Sequence, residues 1–322
     1  MKNRRKCAAW FAASLCAIPF AIAATTVGAR TVSYQPEALC KQANAQSVSA
    51  AHAREQIAQT PRGPIAYYRL GKGSPLVLVT GFRATLTEWD ASFIAELAKR
   101  HDVIVFDNRG VGRSQPGATS FSIDGMARDT AALIDTLQLH RPAVLGWSMG
   151  GAIVQQLALD TPTSVGKMVL MSAPAPGHFG TPLPPDVEAK LSGKPGTKLP
   201  DIMGALFPAW DVDDATRCFK QDMFAPPDYA SQRISDAVTQ GQTAALRGWE
   251  GNDKAGDALR AVHIGTLVMS GTADMVVVKE NAQALQRLLP GAHLLMIDGG
   301  GHAVMYQYPL ALARVIDAFV GK

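Results

Sequence analysis

Gly146-Trp147-Ser148-Met149-Gly150 sets a single hydroxyl between two glycines, where an apolar strand-like run, Ala143 to Leu145, meets a helix-like run from Met149 to about Asp160. A serine held in so sharp a strand-to-helix turn is lifted clear of the sheet, and bulkier flanking residues would strike the strand and helix backbones. The free N–H groups of that helix then face the place where an anion forms. Such chemistry needs a base, because an alcohol is a poor nucleophile until its proton is removed. Of the seven histidines, His302 follows Gly299-Gly300-Gly301 at the end of an apolar strand, on the sheet edge where sites of open parallel sheets lie. Asp274, after the strand Leu267 to Ser270, is the expected orienting acid, with Asp298 as its rival. The chain order Ser148, Asp274, His302 agrees with an acyl-transfer triad on such a sheet. The two oxyanion donors are expected at the N–H of Met149 and at Phe82, with Arg83 as the alternative to Phe82.

These residues need a scaffold, and its elements read off in order. Gln56 to Thr60 and Pro64 to Leu70 flank Pro61-Arg62-Gly63 and predict an antiparallel hairpin. Leu76 to Val79 and Val103 to Phe106 are continuous apolar runs, the pattern of strands buried on both faces. Helices are expected from about Glu88 to Arg100 and from a Ser122 cap to about Leu139. The strand Lys167 to Met171 follows the nucleophile helix. Alternation then breaks, and half of the chain's prolines fall between Pro174 and Pro227. This stretch reads as an inserted helical cap, in which Met203, Leu206, Phe207, Trp210, Phe219, Met223 and Phe224 are candidates to line an apolar pocket, with Trp147 at its floor. Order resumes with Thr266 to Ser270, a helix from about Lys279 to Leu289, the strand His293 to Ile297 and a helix from about Leu310 to Phe319. The expected architecture is α/β, a mostly parallel sheet with helices on both faces. Its division is a signal peptide over 1–24, an N-terminal extension over 30–55, core over 56–172 and 266–322, and the cap over 173–265.

The amino terminus carries Lys2, Arg4, Arg5 and Lys6 ahead of an uncharged apolar run, Cys7 to Ala24, which reads as an export signal cleaved near Ala21-Ile22-Ala23 or as late as Ala29. Those four charges account for the whole formal net charge of +4. The remainder is neutral, so no nucleic-acid surface is implied and no membrane association is expected after processing. A periplasmic or secreted protein sits in an oxidising compartment, where the two remaining cysteines, Cys40 and Cys218, are candidates to pair. The other six histidines show no paired metal-ligand spacing, and neither a metal nor an organic cofactor is called for.

From Gln56 to Phe319 the chain resembles the α/β-hydrolase superfamily, in its serine-nucleophile branch. The resemblance rests on Gly146-Trp147-Ser148-Met149-Gly150, Thr80-Gly81-Phe82, Asp107 to Ser114, Gly271-Thr272-Ala273-Asp274 and Gly300-Gly301-His302. It implies Ser148 as nucleophile, His302 as acid-base, Asp274 as its partner, and Phe82 with Met149 as the oxyanion hole. The family usually has His-Gly where this chain has Thr80-Gly81, and Asp107 to Ser114 reads as a turn scaffold. The implied reaction is cleavage of a small, largely apolar ester or lactone through an acyl-enzyme. Perhydrolysis and carbon–carbon bond hydrolysis use the same triad, and a low-turnover ligand-binding protein can retain it. No motif specifies oligomeric state.

Overall fold

The computed structural model describes residues 28–37, 39–40, 53–114, 121–191, 196–230 and 233–321. The expected export signal, with Cys7 and Cys16, lies outside them. Nine strands form one sheet: β1 (Ala29–Val32), β2 (Gln56–Thr60), β3 (Gly63–Gly71), β4 (Ser74–Val79), β5 (His101–Phe106), β6 (Ala143–Trp147), β7 (Lys167–Met171), β8 (Gly265–Gly271) and β9 (His293–Ile297). Their spatial order is β1-β9-β8-β7-β6-β4-β5-β3-β2. Only β3 runs against its neighbours, pairing antiparallel with β2 and β5; every other pair is parallel.

The continuous apolar strands are double-faced as their composition demands. In β4, Val77 and Val79 join the core on one side of the sheet and Leu76 and Leu78 the core on the other, and none of the four is exposed. The body helices are α1 (Ala91–Leu97), α2 (Ile123–Thr136) and α3 (Met149–Asp160). Ser122 caps α2 by accepting the N–H of Gly125 at 2.9 Å. The helix expected from Glu88 begins instead at Ala91, because Thr85 and Glu88 form a reciprocal capping box around a short 3₁₀ turn and Asp90 then caps α1 through the N–H of Phe93.

Between β7 and β8 come α4 (Pro185–Leu191), α5 (Leu199–Leu206), α6 (Val212–Asp222), α7 (Asp236–Glu250) and α8 (Asp253–Leu259). The chain closes with α9 (Lys279–Leu288), the single turn α10 (Val304–Gln307) and α11 (Pro309–Val320). No helix of the described residues is long and apolar enough to cross a membrane.

The described part of the N-terminal extension does more than link. Ala29 to Val32 adds β1 in parallel register to the exposed edge of β9. Glu37 then reaches the start of α11, its Oε1 accepting the N–H groups of Leu310 and Ala311 at 3.2 and 3.3 Å, where a carboxylate complements the helix dipole. Cys40 is joined to Cys218 of α6 by a disulfide, with Cα atoms 5.3 Å apart. The extension is thus a strap from the sheet edge to the inserted helices.

Candidate active site

The turn after β6 is built by steric exclusion. A Cβ on Gly146 would stand 2.3 Å from the carbonyl oxygen of Gly150, and one on Gly150 would stand 2.1 Å from that of Val79. Neither position admits a side chain, so strand and helix approach closely enough to force Ser148 to φ 58° and ψ −124°. Holding a non-glycine residue there costs on the order of 1–3 kcal/mol and persists only where the surroundings impose it. Ser148 precedes α3 directly, so the first-turn N–H groups, Met149's among them, have no partner within the helix.

His302 lies on the loop after β9 and is 2% exposed; Asp274 lies on the loop after β8 and is 5% exposed. Nδ1 of His302 is 3.0 Å from Oδ2 and 3.1 Å from Oδ1 of Asp274. Oδ1 of Asp274 also accepts the N–H groups of Val276 and Val277, both at 2.9 Å, so the carboxylate is fixed from two sides. Asp298, the other candidate acid, is turned to the strap: its carboxylate accepts from Ser33 Oγ at 3.2 Å. Trp147 contributes a tether. Its indole N–H donates to the carbonyl of His302 at 3.0 Å, and its ring centroid is 5.6 Å from the imidazole. The histidine loop is further held where Gln307 Oε1 accepts the N–H of Gly301 at 2.7 Å.

The loop after β4 approaches the nucleophile closely. A Cβ on Gly81 would be 3.1 Å from Ser148 Cβ and 3.6 Å from its Oγ. Thr80, at the position where the resemblance would put a histidine, is fully buried and gripped by Asn108, whose Nδ2 donates to the Thr80 hydroxyl and carbonyl at 3.1 and 3.3 Å. Asp107 holds the same loop further on, through Leu86 N–H at 2.7 Å, and accepts the hydroxyl of Tyr229 at 3.0 Å. The turn from Asp107 to Ser114 thereby positions the segment that carries Phe82.

Burial pushes the Asp107 carboxyl up to about 7, against the lowering effect of these two donors. A carboxyl raised in the folded state contributes stability that is fully present below its unfolded pKa, near 4, and is lost as pH rises through about 7. Asp107→Asn mimics the protonated form. Urea unfolding at pH 5 and pH 8 is therefore expected to show the wild type losing about 2–3 kcal/mol more than this variant across the interval; equal losses would contradict it.

Ser148, His302, Phe82 and Met149 line one cavity of about 390 Å³. Its apolar wall comes from Leu183, Leu191, Ile202, Leu206, Val276 and Val277 among others. Of the cap residues expected there, Leu206 lines the cavity, as does Trp147 below it. Met203 and Phe207 do not: they are 1% exposed and pack into the body, Phe207 lying edge-on 6.2 Å from Tyr306. Phe219 stacks on Tyr306 at 4.5 Å, and Phe224 is buried against Tyr68. Met223 bridges to Asp90, and Trp210 is 56% exposed on the surface. The physical reason is the rotational setting of α5 on the body. Its Met203 stripe seals the body while Ile202 and Leu206, offset around the helix, face the cavity. Arg83, Glu88 and Asn281 also line it, and nothing in their spacing marked the latter two as pocket residues.

Known proteins are similar to this chain in sequence and fold. Over 277 aligned positions, covering 83% of this chain, it is 30% identical to part of the polyketide synthase ThaQ of Burkholderia thailandensis, of whose length it spans only 13%. The putative carbamate hydrolase RutD of Pseudomonas savastanoi pv. phaseolicola is 28% identical over 76% of this chain and 93% of its own. Among solved structures, Est816, described as an N-acyl homoserine lactone degrading enzyme, superposes with a TM-score of 0.68 at 26% identity, covering 82% of this chain and all of that one. Residues 74–309 match the model of the α/β hydrolase fold family, and the chain belongs to that family of hydrolases.

Proposed function

We propose that this hydrolase cleaves a carboxylic ester or lactone through an acyl-enzyme on Ser148. His302 takes the serine proton as the bond to carbon forms and returns it to the leaving alcohol; water then repeats the sequence on the acyl-enzyme. Asp274 holds the imidazole with Nδ1 protonated, leaving Nε2 to face the serine. The N–H groups of Phe82 and Met149 take the oxyanion. The observation that carries this reading is the buried Asp274–His302 pair, at 3.0 Å, opening into the same cavity as a serine forced to positive φ. The lactone-degrading description of Est816 and the hydrolase name of RutD point the same way. Turnover of esters and lactones by the wild type, set beside Ser148→Ala, is the test.

We also propose that the protein is exported and acts in the periplasm or outside the cell. The Cys40–Cys218 pairing supports this, since such a bond persists in an oxidising compartment. Cleavage after Ala23 leaves β1 whole, whereas cleavage after Ala29 removes its first residue. The mature protein is expected to titrate no free thiol until reduced. The bond closes a separation of 178 residues, so Cys40→Ser is expected to lower unfolding free energy by up to about 5 kcal/mol in denaturant titration. Two free thiols in the unreduced exported protein would refute the pairing.

A further inference from the structure

Two ionisable side chains stand in the cavity wall beside the expected oxyanion site. Arg83 directly follows Phe82, in a left-handed backbone conformation at φ 53°. Its N–H donates to Gln242 Oε1 of α7 at 2.8 Å, and its Nη1 donates to the carbonyl of Leu191, the last residue of α4, at 3.0 Å. Both anchors belong to the inserted helices, so the guanidinium is held across the seam between body and cap. Its Nε–H is buried, with no acceptor among the described residues. Among the described residues no carboxylate lies within 4.0 Å of it.

The other charges of the lining have hydrogen-bond or ion-pair partners. Arg247 pairs with Glu188 at 3.3 Å, and both are well exposed. Glu250 takes a backbone hydrogen bond from Leu183. Glu88 accepts the N–H of Thr85 at 3.4 Å, and burial pushes its carboxyl up to about 7, with Arg83 opposing and Asp107 reinforcing that shift. The cavity wall therefore holds a cation with no carboxylate within 4.0 Å among the described residues. A guanidinium in a largely apolar pocket is costly unless a partner brings the counter-charge, and its planar fork matches a carboxylate.

We propose that Arg83 recognises a free carboxylate on the substrate, so that the cavity takes esters carrying a second, ionised carboxyl a short chain from the scissile carbonyl. The inference rests on the ester-hydrolase reading above and narrows its substrate class.

The test compares mono-p-nitrophenyl adipate with the same ester capped as its methyl ester, read as the ratio of kcat/KM, in which effects common to both esters cancel. The wild type is expected to favour the free acid by about ten-fold or more at pH 6.5. Arg83→Met is expected to bring that ratio to about one, with Arg83→Lys between. A wild type indifferent to the free carboxyl, or a ratio unchanged in Arg83→Met, overturns the proposal. If the wild type is no faster than Ser148→Ala on both esters, the hydrolase reading itself fails, and the recognition is then read by calorimetric titration of adipate. Saturable binding to Ser148→Ala, weakened about ten-fold or more when Arg83→Met is added, supports it; equal binding, or none, overturns it.

Discussion

Ser148→Ala is expected to lower kcat/KM on any ester the wild type turns over by about 10⁵- to 10⁶-fold, leaving a residual rate on the order of 10³ over water. The size follows from the construction of the turn. Gly146 and Gly150 leave no room for a neighbouring side chain to substitute. The residue after the nucleophile and the loop carrying Phe82 remain in place, so binding and oxyanion stabilisation account for what is left. Alanine keeps the Cβ and fits the same backbone, so the thermal midpoint should move little. That separates a chemical loss from a folding one. A fluorophosphonate probe should label the wild type once, on the peptide containing Ser148, and should not label the variant. Activity of Ser148→Ala within ten-fold of wild type, in a protein free of contaminating esterase, would end the acyl-enzyme reading.

The parts of this site legible in the sequence are those whose chemistry is local. A glycine-bracketed serine between a strand and a helix carries its own steric logic, and the contacts at Gly146 and Gly150 are the ones that logic requires. His302 and Asp274 stood out because each ends an apolar strand of a parallel sheet, and such ends share one edge. Features that depend on which surfaces meet were not legible. Ala29 to Val32 is four residues without marked periodicity; it becomes a strand because β9 offers an unpaired edge. Met203 and Phe207 have helical spacing, but spacing does not say whether a stripe turns to the body or to the cavity. For α5 it turns to the body, and Ile202 and Leu206 take the other role. The early start expected for α1 is different in kind: Thr85, Glu88 and Asp90 spell a capping box and a second cap, so its true boundary was readable. The sequence marks Arg83 only for its backbone; its side chain acquires meaning from the fold, which brings the Leu191 carbonyl to its guanidinium and Gln242 to its N–H.

Asp274→Asn is expected to cost about 10⁴-fold in kcat with little change in stability, and the geometry here gives a specific reason. Oδ1 of Asp274 accepts two backbone N–H groups, from Val276 and Val277. In the asparagine variant the carbonyl oxygen must keep that place, since turning the amide would set its NH₂ against two donors. Nδ2 then occupies the position of Oδ2, 3.0 Å from Nδ1 of His302. The amide donor at 3.0 Å now opposes the carbonyl oxygen at 3.1 Å for the same ring nitrogen, which favours the tautomer that accepts at Nδ1 and carries its proton on Nε2, where it can no longer accept the proton of Ser148. The loss is one of tautomer rather than of fold. Asp274→Ala, which lacks the imposed donor, should retain more activity than the isosteric variant, most visibly at high pH. Asp274→Asn with activity near wild type would mean that the imidazole is oriented by some other group. Its tether to Trp147 holds the His302 backbone, not Nδ1, and so cannot serve that purpose.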